Sequence, residues 1–275
     1  MVVYSFESPK KKRFFGIEGF SLTVQLIILN VVLYIASLLV LGVYGEEFLI
    51  NNFALTPSLI LAGKSLWAFL TSMFMHGSFF HLFANMFSLY FVGRFLEKVI
   101  GRKRFFWVYL VAGLIGGIFY ILSTLIFGGM EIPAVGASGA IFGLLGVLAV
   151  LVPFSRIYLI AGPLILIIVE VMGVAFLPAS VITVVSTVVN VLILLMIFAI
   201  FSPNTNFRKF AVPIELPMWL LPIVAIVPLT IIGFFVDLPI GNSAHLGGLI
   251  VGLIFGFYLR RKFPRKIARL GGMFG

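Results

Sequence analysis

The chain of 275 residues is 62% apolar and 10% charged, and its mean hydropathy is +1.23. This composition lies far outside the range of soluble globular domains and predicts a polytopic membrane protein. Because the sequence contains no cysteine, disulfides, thiolate metal sites and cysteine nucleophiles are excluded.

Apolar runs long enough to span a membrane follow one another along the chain. The first, from Phe20 to about Gly42, carries no charge over more than 20 residues. It is too long for a signal-peptide core and long enough to cross roughly 30 Å of hydrocarbon. We predict eight spans, at about 20–42, 79–96, 105–127, 137–152, 157–177, 180–201, 217–236 and 244–260. The fifth and sixth are predicted to form a hairpin, with one span plus a re-entrant segment as the alternative.

The net charge of +10 is carried by basic clusters between these runs. The clusters are KKKR at 10–13, RFLEKVIGRKR at 94–104, Arg156, Arg208 with Lys209, and RRKFPRKIAR at 260–269. If the N-terminus is cytoplasmic, alternation of the spans puts every cluster on the cytoplasmic side, as the positive-inside rule favours. Glu46, Glu47, Lys64, Glu131 and Asp237 then lie outside. The charge pattern therefore favours a membrane over nucleic acid as the partner, and both termini are predicted to be cytoplasmic.

Little of the chain is predicted to lie outside the membrane. A basic tail at 1–19 is expected to lie against anionic lipid headgroups, and a second basic tail is predicted at 263–275. The connection at 43–78 is too apolar for a solvated loop, so we expect it to lie in or on the outer leaflet.

Several polar residues lie at the outer ends of the predicted spans. His81 and Asn85 are four residues apart at the start of the second span and therefore share one helical face. Ser138 opens the fourth span and His245 opens the last. Because polar side chains at membrane depth are costly, groups at one level are expected to share a water-filled cavity.

This set of residue types suggests acyl-transfer chemistry. A serine hydroxyl becomes nucleophilic when a neighbouring base takes its proton, and histidine is suited to that near neutral pH. Neutral histidine, an asparagine amide and backbone N–H groups can hold an oxyanion. Gly136 and Gly139 would let the chain turn sharply into a helix, whose first N–H groups carry positive partial charge beside Ser138.

The glycines also have a purely structural interpretation. Small-residue stripes typical of helix packing in membranes occur in the fourth and last spans, at Gly139, Gly143 and Gly146 and at Gly248, Gly252 and Gly256. For the sequence GASG alone, packing is favoured over catalysis, and a lone interfacial histidine is more often an anchor. The same stripes would, however, let the two spans pack closely and bring Ser138 near His245.

Three motifs together resemble the signatures of the rhomboid intramembrane serine proteases. They are HGSFFHLFANM at 76–86, GASGAIFG at 136–143 and AHLGGLIVG at 244–252. The resemblance covers roughly 20–153 and 207–262. It implies an all-α polytopic bundle with a six-span core and an inserted two-helix hairpin at about 156–203. The protease domain would then occupy 20–262, between the two basic tails.

The resemblance also implies roles for individual residues. Ser138 would be the nucleophile and His245 the general base and later acid, without an acidic third member. His81 and Asn85 would donate hydrogen bonds to the oxyanion, together with the Ser138 backbone N–H. His76 would be a structural histidine that holds the outer loop by hydrogen bonds.

Three features depart from, or add to, the family pattern. Trp67 matches a tryptophan of the family's outer loop, but the arginine expected after it is Ala68, which puts the anchoring of the loop in doubt. Phe142 stands where many members have a tyrosine under the catalytic histidine. The inserted hairpin contains Glu170, a carboxylate at membrane depth, for which Asn190 is a conceivable partner.

The implied function is hydrolysis of a peptide bond in or near a transmembrane segment of a single-span membrane protein. Transmembrane substrates and lipids are the expected partners, with no cofactor, metal or nucleic acid, and the expected location is a prokaryotic plasma membrane with the site facing outwards. The alternatives are an inactive rhomboid-like protein that binds transmembrane helices and, because of Glu170, a transporter. Asp237 is the only aspartate, so an aspartyl dyad is excluded, and no H-E-x-x-H zinc motif occurs.

Overall fold

The computed structural model describes residues 20–174, 177–233 and 241–274. The predicted tail at 1–19 and Asp237 therefore lie outside the described residues. The chain divides into two compact units. One contains the residues up to Leu151 together with Gly241–Leu270, and the other contains Val152–Ile240 and residues 271–275.

Most of the described chain is helical. The helices are α1 (Leu22–Phe53), α2 (Pro57–Leu61), α3 (Ala68–Thr71), α4 (Phe79–Ser88), α5 (Arg94–Ile100), α6 (Arg102–Phe127), α7 (Ser138–Leu151), α8 (Ala161–Val174), α9 (Ala179–Ala199), α10 (Thr205–Phe210), α11 (Leu221–Gly233), α12 (Asn242–Lys262) and α13 (Pro264–Phe274). A 3-10 turn at Ser72–Phe74 follows α3. A π-helical turn at Leu89–Gly93 joins α4 to α5 in one continuous element.

The prediction of a polytopic helical membrane protein is confirmed. Five helical segments of the described ranges are long and apolar enough to cross a membrane, at Leu22–Phe53, Phe79–Ile100, Arg102–Phe127, Ser180–Ala199 and Asn242–Lys262. Each of the eight predicted apolar runs contains a helix, and three of them contain the shorter helices α7, α8 and α11.

The first helix is longer than the predicted first span. We expected that span to end near Gly42, but α1 continues to Phe53. The backbone leaves helical geometry only at Gly45, where φ is 83° and ψ is 172°, and then returns to helix. Glycine adopts a positive φ at little cost, so the chain can bend there without ending the helix.

The N-terminus of α1 is held by an acid from α5. The Glu97 carboxylate accepts hydrogen bonds from the backbone N–H groups of Leu22 and Thr23 at 2.7 and 2.9 Å, and from the Thr23 hydroxyl at 2.7 Å. The first N–H groups of a helix have no intrahelical partner and carry positive partial charge. Glu97 therefore satisfies these donors and fixes the start of α1 against α5.

The helix α12 packs closely along α7 through glycines. An added Cβ at Gly248 would overlap the Gly139 carbonyl, and one at Gly252 would overlap the Gly143 carbonyl. Only residues without a side chain permit such backbone contact between membrane helices. The predicted packing of the fourth and last apolar runs is therefore confirmed. Beside this contact, α6 and α7 contribute the fully buried side chains of Phe105, Ala112, Leu144, Val147 and Leu148.

The second unit also contains a two-stranded sheet, which the prediction of an all-α bundle did not include. Strand β1 (Arg156–Ile160) pairs antiparallel with β2 (Pro213–Pro217), and Arg156 forms an ion pair of 3.1 Å with Glu215, 59 residues away. The fifth predicted span therefore begins too early, because α8 starts at Ala161. An apolar run as short as IYLI suits a strand or a helix, and pairing with a distant strand decides between them. Helices α8 and α9 pack against each other.

Candidate active site

Ser138 is the first residue of α7, directly after a sharp turn. Gly136 has a φ of +124°, and its N–H donates a hydrogen bond of 2.8 Å to the Ser72 carbonyl. The N–H of Ile141 donates to the carbonyl of the fully buried Ala137 at 3.0 Å. The N–H groups of Ser138, Gly139 and Ala140, which lie between Ala137 and Ile141, are at the positive end of the helix and have no intrahelical acceptor.

His245 lies in the first turn of α12 and meets Ser138. Its Nε2 lies 2.8 Å from the Ser138 Oγ, although the two residues are 107 positions apart in the chain. The Phe142 ring of α7 stacks on the imidazole with a centroid distance of 4.4 Å and an interplanar angle of 19°. The structure therefore brings together the predicted nucleophile, the predicted base and the aromatic residue expected beneath that base.

Backbone contacts one residue before His245 support this arrangement. An added Cβ at Gly116 of α6 would lie 2.8 Å from the Ala244 carbonyl, and one at Gly139 would lie 3.4 Å from it. The start of α12 is thus seated on two glycines from two other helices. Gly139 was a sequence candidate, whereas Gly116 was not. The only sequence feature that could have indicated Gly116 is its place in the Gly-Gly pair at 116–117.

His81 and Asn85 lie on α4, as their four-residue spacing predicts. Ser78 caps this helix, since its hydroxyl accepts a hydrogen bond of 3.1 Å from the His81 N–H. The Asn85 Nδ2 donates to the His81 carbonyl at 3.0 Å, and Asn85 is buried. An added Cβ at Gly136 would lie 2.8 Å from the His81 Nε2 and 3.7 Å from the Asn85 Nδ2. The absence of a side chain at Gly136 therefore leaves space between these two polar groups.

His76 is buried beside His81. The ring centroids are 5.1 Å apart in an edge-to-face arrangement, and neither His76 ring nitrogen reaches hydrogen-bonding geometry with any described residue. Burial, reinforced by the nearby His81, lowers the pKa of His76 from 6.5 to about 3, while the Phe74 backbone acts weakly in the opposite direction. His76 is thus held neutral, and it contacts the site through its ring beside His81; its role as a structural histidine stays a prediction.

Trp67 helps to anchor the outer loop at the end of α1. Its indole Nε1 donates a hydrogen bond of 2.6 Å to the Asn52 carbonyl. The Ser65 hydroxyl donates to Asn51 at 2.7 Å, and the Thr71 hydroxyl donates to Phe53 at 2.9 Å. Three consecutive carbonyls at a helix C-terminus are therefore satisfied by one short segment.

Ala68, which replaces the expected arginine, has a packing role. It is fully buried in a cluster with Leu55, Ile60, Tyr120 and Ile121. The loop is consequently anchored by apolar contact and by the three hydrogen bonds to α1, without an arginine. Ser65 and Thr71 were not singled out from the sequence, because nothing local marks them as partners of α1.

Glu170 is half-buried in α8. Asn190 is half-buried in α9, and within the part of the chain that the structure describes no hydrogen bond joins it to the Glu170 carboxylate. The described residues also contain no group of three or more histidine, aspartate or glutamate side chains that could hold a metal ion.

Comparison with known proteins relates this arrangement to one family. The family model described as the Rhomboid domain matches residues 63–191 and 164–262, which together cover most of the chain. The chain is 38% identical over 107 residues to the rhomboid protease GluP of Bacillus subtilis (strain 168), covering 39% of this chain and 20% of GluP. It is 40% identical over 130 residues to RHOMBOID-like protein 5 of Arabidopsis thaliana, covering 46% of this chain and 41% of that protein.

One similar relative is described as inactive. The chain is 37% identical over 81 residues to the inactive RHOMBOID-like protein 8 of Arabidopsis thaliana, covering 30% of this chain and 22% of that protein. In each of these three alignments the chain covers less than half of the relative's own length.

Proposed function

The chain belongs to the rhomboid family, and on that premise we propose that it is an intramembrane serine endopeptidase. The observation that supports this most directly is the distance of 2.8 Å between the Ser138 Oγ and the His245 Nε2. At that distance the imidazole can take the hydroxyl proton as the oxygen attacks a carbonyl carbon. The same imidazolium then returns the proton to the leaving amine.

The base works without an acidic partner, so its orientation has to come from packing. The face of Phe142 lies parallel to the His245 imidazole at 4.4 Å and limits rotation of the ring. For Nε2 to accept the proton, the other ring nitrogen, Nδ1, must carry the hydrogen in the resting state. Phe142 is therefore a positioning residue, which holds the ring with Nε2 directed towards Ser138.

We assign the oxyanion donors to the N-terminus of α7 and to α4. The Ser138 N–H is free of an intrahelical acceptor, and the His81 Nε2 and Asn85 Nδ2 lie around the empty side of Gly136. These groups are preorganised, because α4 is capped by Ser78 and the turn is tied to Ser72. Donors fixed before the reaction stabilise developing negative charge without reorganisation.

The proposed substrates are single-span membrane proteins. A peptide bond within an intact helix is shielded by its hydrogen bonds, so substrate segments of low helix propensity near the end of a span are expected to be cut. Membrane lipids are the other proposed partners. We further propose that residues 20–262 form the protease domain, that both termini are cytoplasmic, and that the site faces the outer side of a plasma membrane.

An inactive, helix-binding member of the family is the second candidate, because one similar relative is described as inactive. The two candidates differ in whether Ser138 is chemically competent. A fluorophosphonate probe should label the wild-type chain at Ser138 and leave Ser138→Ala unlabelled. An inactive binding protein would show no labelling in either form.

The decisive experiment is cleavage of a model single-span substrate by the chain reconstituted in liposomes. Cleavage should be abolished in Ser138→Ala and in His245→Ala, with thermal unfolding unchanged. Ser37→Ala is the matched control, since the Ser37 hydroxyl donates only to the Tyr34 carbonyl of its own helix. If Ser138→Ala retains cleavage, or if Ser37→Ala loses it equally, the assignment of Ser138 as the nucleophile is wrong.

A further inference from the structure

A pair of serines joins the first turn of α12 to α6. The Ser123 Oγ of α6 lies 2.8 Å from the Ser243 Oγ of α12, although the two residues are 120 positions apart in the chain. The same Ser123 Oγ lies 2.7 Å from the Tyr120 carbonyl oxygen of its own helix. Both serines are half-buried. The contact therefore depends on the packing of two helices that are distant in sequence.

The direction of these two hydrogen bonds follows from the hydrogens that are available. A serine hydroxyl has one hydrogen to donate, whereas a carbonyl oxygen can only accept. Ser123 therefore donates to the Tyr120 carbonyl, and Ser243 donates to the Ser123 Oγ. The chain of hydrogen bonds runs from Ser243 through Ser123 to the backbone of α6, so it connects the start of α12 to the main chain of another helix.

Ser243 lies in the same helical turn as His245. The His245 N–H donates to the Gly241 carbonyl at 3.1 Å and closes this turn. Between the two side chains, the Ala244 carbonyl rests against glycines of α6 and α7. Because a hydrogen-bonded helical turn is a stiff unit, a displacement of Ser243 relative to α6 also moves the His245 side chain.

The glycine contacts and the serine contact have complementary effects on α12. Glycines let the backbones of two membrane helices approach closely, but the van der Waals contact between them has little directionality. A hydrogen bond is directional and weakens steeply when the donor leaves its acceptor. The bond between Ser243 and Ser123 therefore limits movement of α12 along α6 or away from it, while the glycine contacts set the distance of closest approach.

The same turn of α6 also holds the loop that leads to Ser138. The Tyr120 hydroxyl donates to the Ile132 carbonyl in that loop at 2.9 Å. Tyr120 thus accepts the serine hydrogen bond through its carbonyl and fastens the loop through its side chain. The segments that carry the proposed nucleophile and the proposed base are consequently both bonded to residues 120–123.

We propose that Ser123 and Ser243 are positioning residues, whose hydrogen bond keeps the His245 Nε2 within reach of the Ser138 Oγ. This inference rests on the proposed function, since it gives the bond a task in the activity of the dyad. The dyad atoms are 2.8 Å apart, and a shift of about 1 Å would break their hydrogen bond. The two serines act through His245 rather than on the substrate, so the rate of the chemical step should depend on them more than substrate binding does.

The experiment measures kcat and KM for a model single-span substrate in liposomes, together with the rate at which a fluorophosphonate labels Ser138. Ser243→Ala should lower kcat and the labelling rate roughly three- to tenfold, because a hydrogen bond between membrane helices has modest strength. KM should change by less than about twofold, since no contact with the substrate is removed. Ser243→Thr keeps the hydroxyl and should retain most of the rate.

Ser123→Ala tests the same bond from the other helix. If the two hydroxyls act through their mutual contact, Ser123→Ala/Ser243→Ala should lose no more rate than the more damaging single variant, whereas independent effects would multiply. Ser37→Ala is the matched control. Like Ser123, Ser37 donates to the carbonyl three residues earlier in its own helix, at 2.7 Å. Its removal from α1 should leave kcat within about twofold, because it lies on a helix that carries neither member of the dyad.

Three results would overturn the proposal. They are an unchanged kcat in Ser243→Ala, a loss in Ser243→Thr as large as that in Ser243→Ala, and effects of the two alanine substitutions that multiply in the double variant. Failure of the proposed function gives a different result, because the wild-type chain would then neither cut the substrate nor be labelled at Ser138. That result would overturn the positioning role as well. Thermal unfolding of the same samples verifies that each variant is folded.

Discussion

Phe142 and His245 form a parallel ring pair with centroids 4.4 Å apart and an interplanar angle of 19°. A flat stack of this kind leaves the edge of the imidazole free for hydrogen bonding while it restricts rotation of the ring. In a proposed dyad without an acid, this contact takes over the orienting task that a carboxylate performs in a triad.

We therefore predict that Phe142→Ala lowers kcat/KM for a single-span substrate by roughly tenfold, because an aromatic pair contributes about 0.5–1.5 kcal/mol and misorientation adds to that loss. Phe142→Tyr keeps the ring face and should retain most of the activity. The rate of fluorophosphonate labelling of Ser138 should fall in parallel, because the same imidazole activates the hydroxyl. Unchanged labelling in Phe142→Ala would show that the ring does not position the base.

Gly136 offers a sharper test of the proposed oxyanion site. In Gly136→Ala the new methyl group would lie 2.8 Å from the His81 ring, at a φ of +124° that alanine rarely adopts. We expect at least a hundredfold loss of kcat, since removal of one oxyanion donor typically costs that much.

The matched control is Gly128→Ala. Gly128 also has a positive φ, +85°, but a Cβ there meets no atom within 4 Å. Gly128→Ala should therefore carry a backbone strain of about 1–3 kcal/mol, as Gly136→Ala does, but its catalytic rate should be unchanged. If both variants lose activity equally, backbone strain rather than occupation of the space beside His81 is responsible.

Gly248→Ala should uncouple α12 from α7. The added Cβ would overlap the Gly139 carbonyl, and a backbone atom cannot move aside as a flexible side chain can. We predict a marked loss of thermal stability, of the order of 1–3 kcal/mol as for overpacked cores, together with loss of cleavage as His245 moves away from Ser138. Gly42→Ala, where a Cβ meets nothing within 4 Å, should leave both properties intact. A stable, active Gly248→Ala chain would contradict the observed backbone contact.

The buried His76 predicts a pH dependence of stability. Its pKa is about 3 in the folded chain and 6.5 in the unfolded chain, so between these values the unfolded chain binds more protons. The free energy of unfolding should therefore fall as the pH falls from 6.5 towards 3, by up to about 1.4 kcal/mol per pH unit from this group.

The measurement compares wild type with His76→Asn by denaturant titration across this pH range. Carboxylates titrate in both chains and largely cancel in the comparison, so the variant should show the shallower pH dependence. Parallel curves would mean that His76 is protonated equally in both states. That result would remove the physical basis for calling it a neutral, buried histidine.

Much of the site could be predicted because its signals are local. His81 and Asn85 share a face through their four-residue spacing, and the Gly-Ala-Ser-Gly turn places Ser138 at the start of a helix. Composition alone predicts the membrane class, because an apolar surface of this extent requires lipid. These properties depend on neighbours within a few residues, so the linear order of the chain is sufficient.

Other features needed the tertiary structure. Helix α1 ends at Phe53 rather than near Gly42, because the chain bends at Gly45 and then returns to helix. The last carbonyls of α1 accept hydrogen bonds from the outer loop. Arg156–Ile160 is a strand because Pro213–Pro217 pairs with it. In the outer loop, Ser65, Trp67 and Thr71 anchor to carbonyls of α1, which no local pattern indicates.

The sequence by itself determined that the chain lies in a membrane, that it is helical, and which residue types are available for acyl transfer. Hydropathy and periodicity are properties of short segments, so the linear order is enough to reveal them. Only the tertiary structure decided that Ser138 and His245, 107 residues apart, lie 2.8 Å from each other. That distance depends on the Ala244 carbonyl resting on Gly116 and Gly139. Contact between distant helices is set by the shape of both partners at once, and a linear pattern describes only one of them at a time.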